Sequence, residues 1–213
     1  MNCDFSLRHY EECLKKAVDE KYSFLPMAEK LRTKEQKIIC LRHDIDHHLS
    51  LAMNFAKIEH KLGIRATYFI RMHGRYNTLF HENAQILKKF VDMGHEIALH
   101  HDADFARLIG ADAEQLTKAA KAMLETVISK NIQGLSTHEP NKSKDVITDD
   151  KLAAFGFTYQ AYADAFIKDM KYISDSSSRW REGCMCNFIG KQEKLCILTH
   201  PLWWYDKSPL ENY

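Results

Sequence analysis

The sequence predicts an α/β protein built as a parallel β/α barrel, with a helical leader ahead of it. Three observations carry that prediction. From Lys37 onward, short apolar runs rich in β-branched and aromatic residues alternate with stretches of helical periodicity. Gly63, Gly94 and Gly156 each close one of the helical stretches, as helix-terminating glycines do. Four candidate strands are followed at once by acids or histidines, while their starts carry Lys, Arg and Glu in no chemical pattern. A flat doubly wound sheet gathers its strand ends only near its switch point. A barrel brings all of them to one face, so the third observation favours the barrel.

The elements follow in order. Asp4 to Glu20 has an apolar face of Phe5, Leu7, Tyr10, Leu14 and Ala17 and reads as an amphipathic helix. Residues 22–26 interrupt it, and Met27 to Lys34 forms a second short helix. This leader, residues 1–36, is expected to lie across the outside or bottom of a barrel formed by residues 37–213. Lys37 to Leu41 is nearly all apolar, which suits a strand covered on both faces. A helix from Leu49 to Leu62 and a strand from Arg65 to Arg71 come next. His81 to Met93 is a helix, His95 to Leu99 a strand, Ala111 to Lys130 a helix and Gly134 to Thr137 a strand. Beyond these, Asp149 to Phe155 reads as a helix and Phe157 to Ala161, Lys171 to Ser174 and Leu195 to Thr199 as strands.

Composition narrows the function. At 213 residues, with 45% hydrophobic and 28% charged residues, the chain is an ordinary globular domain with material for a substantial core. A formal net charge of +1 leaves no basic footprint for nucleic acid. No run is long enough for a membrane span. The start, Met1 to Phe5, lacks a signal-peptide pattern, so a cytoplasmic protein is expected. The six cysteines make no paired CxxC motif, and Cys184-Met185-Cys186 has a poor spacing for a zinc knuckle. They read mostly as small buried hydrophobes in a reduced compartment.

The polar clusters carry the chemistry. In Arg42 to His48, two carboxylates and three imidazoles crowd a strand-to-helix junction. Asp44 and Asp46, two residues apart on extended chain, can aim at one small volume, one as a ligand to a divalent cation and the other as a free proton acceptor. His100 supplies a neutral imidazole from another strand end. The third ligand is open between Asp104, four residues on, and His138 at the next strand end. Three protein ligands would leave a coordination position for water. His200 ends the last strand beside Trp203 and Trp204, which places a general acid against an aromatic wall. The competing uses are ordinary: helix capping for the aspartates, backbone bonding for the histidines, core packing for the tryptophans. Their joint recurrence at strand ends favours the catalytic reading.

These stretches are LRHDID (Leu41 to Asp46), GIRATYFIR (Gly63 to Arg71), GHEIALHHD (Gly94 to Asp102), STHEPNKSKD (Ser136 to Asp145), ISDSSSRW (Ile173 to Trp180) and THPLWW (Thr199 to Trp204). In that order they resemble the polysaccharide deacetylase (NodB-homology) superfamily, the family-4 carbohydrate esterases. The match is to the branch whose first motif is RHD-hydrophobic-D. The resemblance implies a distorted, incomplete barrel, a divalent metal, usually zinc, and hydrolysis of an N-acetyl group on a sugar. It implies Asp44 as catalytic base, Asp46 and His100 as metal ligands and His200 as general acid. Asp175 falls where a residue orients that acid, and Trp180 where an aromatic lines the pocket. This branch resembles proteins encoded with surface-polysaccharide biosynthesis genes, so a nucleotide- or lipid-linked sugar is the implied substrate class. The chain departs from the pattern twice. Asp104 stands where a second ligand histidine is usual, and His138-Glu139-Pro140 replaces an RxPY motif whose arginine holds the base. Two other readings fit the same residues: a hydrolase of a non-sugar amide, and a glycan-binding barrel without catalysis.

Overall fold

The computed structural model describes residues 3–143 and 147–212. Its helices and strands run α1 (Leu7–Asp19), β1 (Ser23–Phe24), α2 (Met27–Lys30), β2 (Ile38–Ile45), α3 (Leu49–Lys61), β3 (Thr67–Ile70), α4 (His81–Asp92) and β4 (Glu96–His101). They continue with α5 (Ala103–Leu108), α6 (Ala113–Ile128), β5 (Gly134–Thr137), α7 (Asp149–Ala154), β6 (Tyr159–Gln160), α8 (Asp164–Ile167), β7 (Lys171–Ser174) and β8 (Lys194–Thr199). Every strand pairing is parallel, in the order β6-β5-β4-β3-β2-β8-β7. The sheet curls into an incomplete barrel. Arg42 on β2 reaches across it to the Ala161 carbonyl and the Tyr162 hydroxyl just past β6.

Alternation along β2 explains why one apolar run serves two environments. Ile38 and Cys40 face the barrel interior with Phe69, Ala98, Tyr159 and Cys196. Ile39, Leu41 and Ile45 face outward into a larger core with α1, α3, α4 and α6. Each large side chain buried this fully contributes roughly 1.5–3 kcal/mol. Gly134 is required by a close approach, because a Cβ there would sit 2.2 Å from Cζ of Tyr159.

The leader joins both layers. Ser6 caps α1 by accepting from the His9 amide, and Tyr10, Cys13, Leu14 and Ala17 bury one face of that helix. β1 pairs with the first residues of β2, Ser23 opposite Ile38 and Phe24 opposite Ile39, in the segment read from sequence as an interruption. Two other differences bear on the site. β2 extends four residues beyond the predicted Leu41, because β3 pairs with Arg42 to Ile45 and β8 with Ile38 to His43. β4 likewise runs through His101. No helix among the described residues is long and apolar enough to cross a membrane.

Candidate active site

The strand C-termini open onto one face, and the side chains gathered there come from β2, β4, β5, β7 and β8. Because β2 continues to Ile45, Arg42 and Asp44 share its inner face with Cys40. Both are buried, and the Arg42 guanidinium grips Asp44 through Nη2 at 2.8 Å from Oδ2 and 3.1 Å from Oδ1. Arg42 also donates to Ser136 Oγ at 2.7 Å and lies between the rings of Phe69 and Tyr162. Burial alone would raise the Asp44 carboxyl. The Arg42 charge, with His100 and His200 nearby, overrides that and holds it below the ordinary carboxylate value. An arginine on this same strand thus grips Asp44, in a chain that lacks RxPY.

Asp46, just past β2, meets two imidazoles. Its Oδ1 is buried with no hydrogen-bond partner of normal geometry. His100 Nε2 lies 3.3 Å from it and His138 Nε2 3.7 Å. One donor atom from each of the three residues falls within 4.8 Å of the others. An orphaned carboxylate oxygen facing two ring nitrogens is a donor set that fits a divalent cation. The far sides of the rings are already occupied: His100 Nδ1 lies 3.1 Å from the Ser136 carbonyl, and His138 Nδ1 3.8 Å from Asp102 Oδ2. The hydrogen bond to the Ser136 carbonyl fixes the His100 tautomer that leaves Nε2 free to ligate, and the Asp102 carboxylate faces His138 Nδ1 at ion-pair distance. Burial, then the neighbouring His100, lowers the pKa of His138 and favours its neutral form. Asp46 is itself held far below the usual range: burial opposes this, but the surrounding imidazoles prevail. A Cβ on Gly74 would meet the Asp46 carbonyl at 3.1 Å and Tyr76 at 2.7 Å, so the tight loop after β3 seats the Asp46 backbone.

Asp104 lies outside this group. It sits on α5, half exposed, paired with Arg107 at 2.9 Å. The acid of this loop that approaches the cluster is Asp102, on the far side of His138, which caps α5 and pairs with Arg71.

His200 follows β8. Its Nδ1 is 2.6 Å from Asp175 Oδ1, and the fully buried Asp175 carboxylate also accepts from the His200 amide and from Trp204 Nε1 at 2.8 Å. Burial would depress the imidazolium. Asp175 more than reverses that and pushes His200 up to about 9. Trp180 stacks against Phe5 of the leader and meets Trp204 edge-on. Trp203, half-buried in the turn after His200, presents an indole N–H with no partner.

Sequence reasoning missed Arg42 as a partner of Asp44, although residues two apart on a strand share a face. It also missed a second buried carboxylate, Glu59 of α3, on the outer side of β2. Glu59 lies 2.9 Å from His43 Nε2, accepts from Tyr68 and Tyr10, and has His95 Nδ1 at 3.6 Å. The local signal was a lone glutamate at an apolar helix position.

A parallel, unclosed β/α barrel with an Asp-His-His cluster on its strand-end face defines the architectural class. Its fold is that of the family-4 polysaccharide deacetylases, which the sequence motifs resemble. Similar solved structures include IcaB from Ammonifex degensii, at 18% identity over 71% of this chain and 73% of that one, with a TM-score of 0.55. A family 4 carbohydrate esterase from Streptomyces lividans in complex with acetate matches at 11% identity over 82% of each chain, TM-score 0.51. A mutant of BA3943 from Bacillus anthracis, a CE4 family pseudoenzyme with restored enzymatic activity, matches at 14% identity, TM-score 0.53. The match covers 79% of this chain and spans 58% of the BA3943 chain. At these identities the likeness is one of fold. No family model matches the sequence, and no curated protein does.

Proposed function

We propose that the protein is a metal-dependent deacetylase that removes an N-acetyl group from an amino sugar, carried as a nucleotide- or lipid-linked glycan precursor. The observation that carries this reading is the pairing of two groups with opposite proton affinities around one cluster. Asp44 is ionised by Arg42, and His200 is kept protonated by Asp175. A base and an acid whose surroundings push their pKa values apart are what amide hydrolysis needs.

Asp46, His100 and His138 would hold a divalent cation, zinc by ligand type. When bound it supplies Lewis acidity toward an amide carbonyl and toward water. Asp44 takes the proton of the attacking water as its oxygen adds to the carbonyl carbon. Arg42 keeps that carboxylate in place and ionised. His200 gives its proton to the amide nitrogen as the C–N bond breaks, releasing acetate and the free amine. Asp175 orients the ring and stabilises its charged form. Trp180 and Trp203 shape the wall on the His200 side.

The test is acetate release from N-acetylated amino sugars, free and in nucleotide- or lipid-linked form, by protein stripped of metal and then reloaded with zinc. Release that requires the metal is expected. Release unaffected by chelation would overturn the mechanism. A loaded site that releases nothing from these sugars but hydrolyses other amides would move the substrate class. Failure to take up any divalent metal would favour a glycan-binding barrel.

A further inference from the structure

We propose that Cys3, His9, Cys184 and Cys186 form a second, structural zinc site that fastens the leader to the turn following Trp180. It shares no residue with the Asp-His-His cluster and does not depend on the deacetylase reading. The four residues come from opposite ends of the chain. Cys3 Sγ lies 3.3 Å from Cys186 Sγ across 183 positions, and His9 Nε2 lies 3.1 Å from Cys184 Sγ across 175. All four donor atoms fall within 4.8 Å of one another. Zinc–sulfur bonds near 2.3 Å and a zinc–nitrogen bond near 2.1 Å put tetrahedral ligands roughly 3.5–3.8 Å apart. The observed cluster therefore reaches that geometry with sub-ångström to ångström movements.

The surroundings suit a metal. His9 is 1% exposed, with Nε2 turned toward the Cys184 sulfur and Glu12 Oε2 at 3.9 Å from its Nδ1. Cys13, one helical turn on, lies 3.5 Å from His9 Nε2 but outside the common radius, so it forms a wall. On binding, the three thiols release their protons and the set carries one net negative charge. Lys16 Nζ, donating to the Cys186 carbonyl at 3.0 Å, is placed to offset it. The CxC spacing, unsuited to a knuckle alone, suffices here because the leader supplies the other two ligands.

The site has a consequence for the acid. Phe5, between Cys3 and His9 in sequence, contacts Trp180 and Trp204, and Trp204 donates to Asp175. Leu7 and Tyr205 join the leader to the chain after β8 by a backbone hydrogen bond of 2.7 Å. Holding the leader down therefore buttresses the Asp175–His200 pair.

The experiment is metal counting and cobalt substitution on full-length protein purified under reducing conditions with zinc. We expect two equivalents per chain, and cobalt-loaded protein should show thiolate-to-metal charge-transfer absorption. Cys184→Ser should lose one equivalent and melt lower. Cys3→Ser, at an exposed position that leaves the core intact, should weaken that equivalent beyond the roughly 10–100-fold cost of losing a partner behind a ligand. Asp46→Asn should remove the other equivalent and keep the charge-transfer band. Absence of that band, unchanged zinc content and melting in both cysteine variants, or a Cys3–Cys186 disulfide in reduced protein would overturn the site. Retention of both equivalents in Asp46→Asn would count against the deacetylase reading alone.

Discussion

β2 presents two buried carboxylate systems on its opposite faces, and only the inner one opens onto the strand-end face. Inside, Asp44 is gripped by Arg42 and looks toward His100 and His200. Outside, Glu59 contacts His43 and accepts from two tyrosines under α1 and α3, and His43 in turn meets Thr199 Oγ1 at 2.6 Å. Both carboxyls are held below their ordinary values against the effect of burial. A depressed pKa therefore does not distinguish a site from a structural network. What differs is closure. Around Glu59 the partners enclose the carboxylate completely. Around Asp44 the neighbouring Asp46, His138 and His200 side chains keep part of their surface open, whereas Glu59, His43 and His95 have none.

Substitutions on the two faces should separate these roles. Asp44→Asn should cost about 10²–10⁴-fold in acetate release with the fold and bound metal retained, as measured by kinetics, circular dichroism and metal analysis. An Asn variant with full activity would assign the base elsewhere. Glu59→Ala should do the reverse. Stripping a fully buried carboxylate from its partners should cost about 3–5 kcal/mol in denaturant unfolding, while turnover per folded molecule persists. If Glu59→Ala is as stable as the parent, the outer network is not structural.

Two smaller effects sharpen the inner face. His138→Ala should weaken metal binding at the Asp46 cluster, whereas Asp104→Asn should leave it unchanged, since Asp104 pairs with Arg107 instead. Equal losses in both variants would return Asp104 to the ligand set. The last effect is on pH. In the proposed role of general acid His200 must carry its proton, and its raised value keeps it protonated up to about 9. Activity should therefore fall as pH climbs through about 9. Asp175→Asn removes the charge that raises the value, so the alkaline limb of kcat/KM should move to lower pH. An unmoved limb would detach Asp175 from the acid.

Much of the inner face was legible in the sequence because it is written in local patterns. Alternating apolar and helical runs, glycine stops and polar residues after four strands follow from period and turn chemistry, and they lead to the parallel barrel and to Asp44, Asp46, His100 and His200. The limits of the local signal are equally physical. β2 and β4 run past their apolar residues because neighbouring strands satisfy their backbone groups, and only that pairing puts Arg42 on the same face as Asp44. The choice between Asp104 and His138 as neighbour to Asp46 depends on where β5 ends beside β4, a long-range register that spacing along one loop does not contain. Glu59 with His43, and Cys3 with Cys186, are separated too widely in sequence for any motif to join them. Sequence by itself determined which residues could do chemistry. Tertiary structure decided which of them meet, because parallel strands take their neighbours from distant parts of the chain.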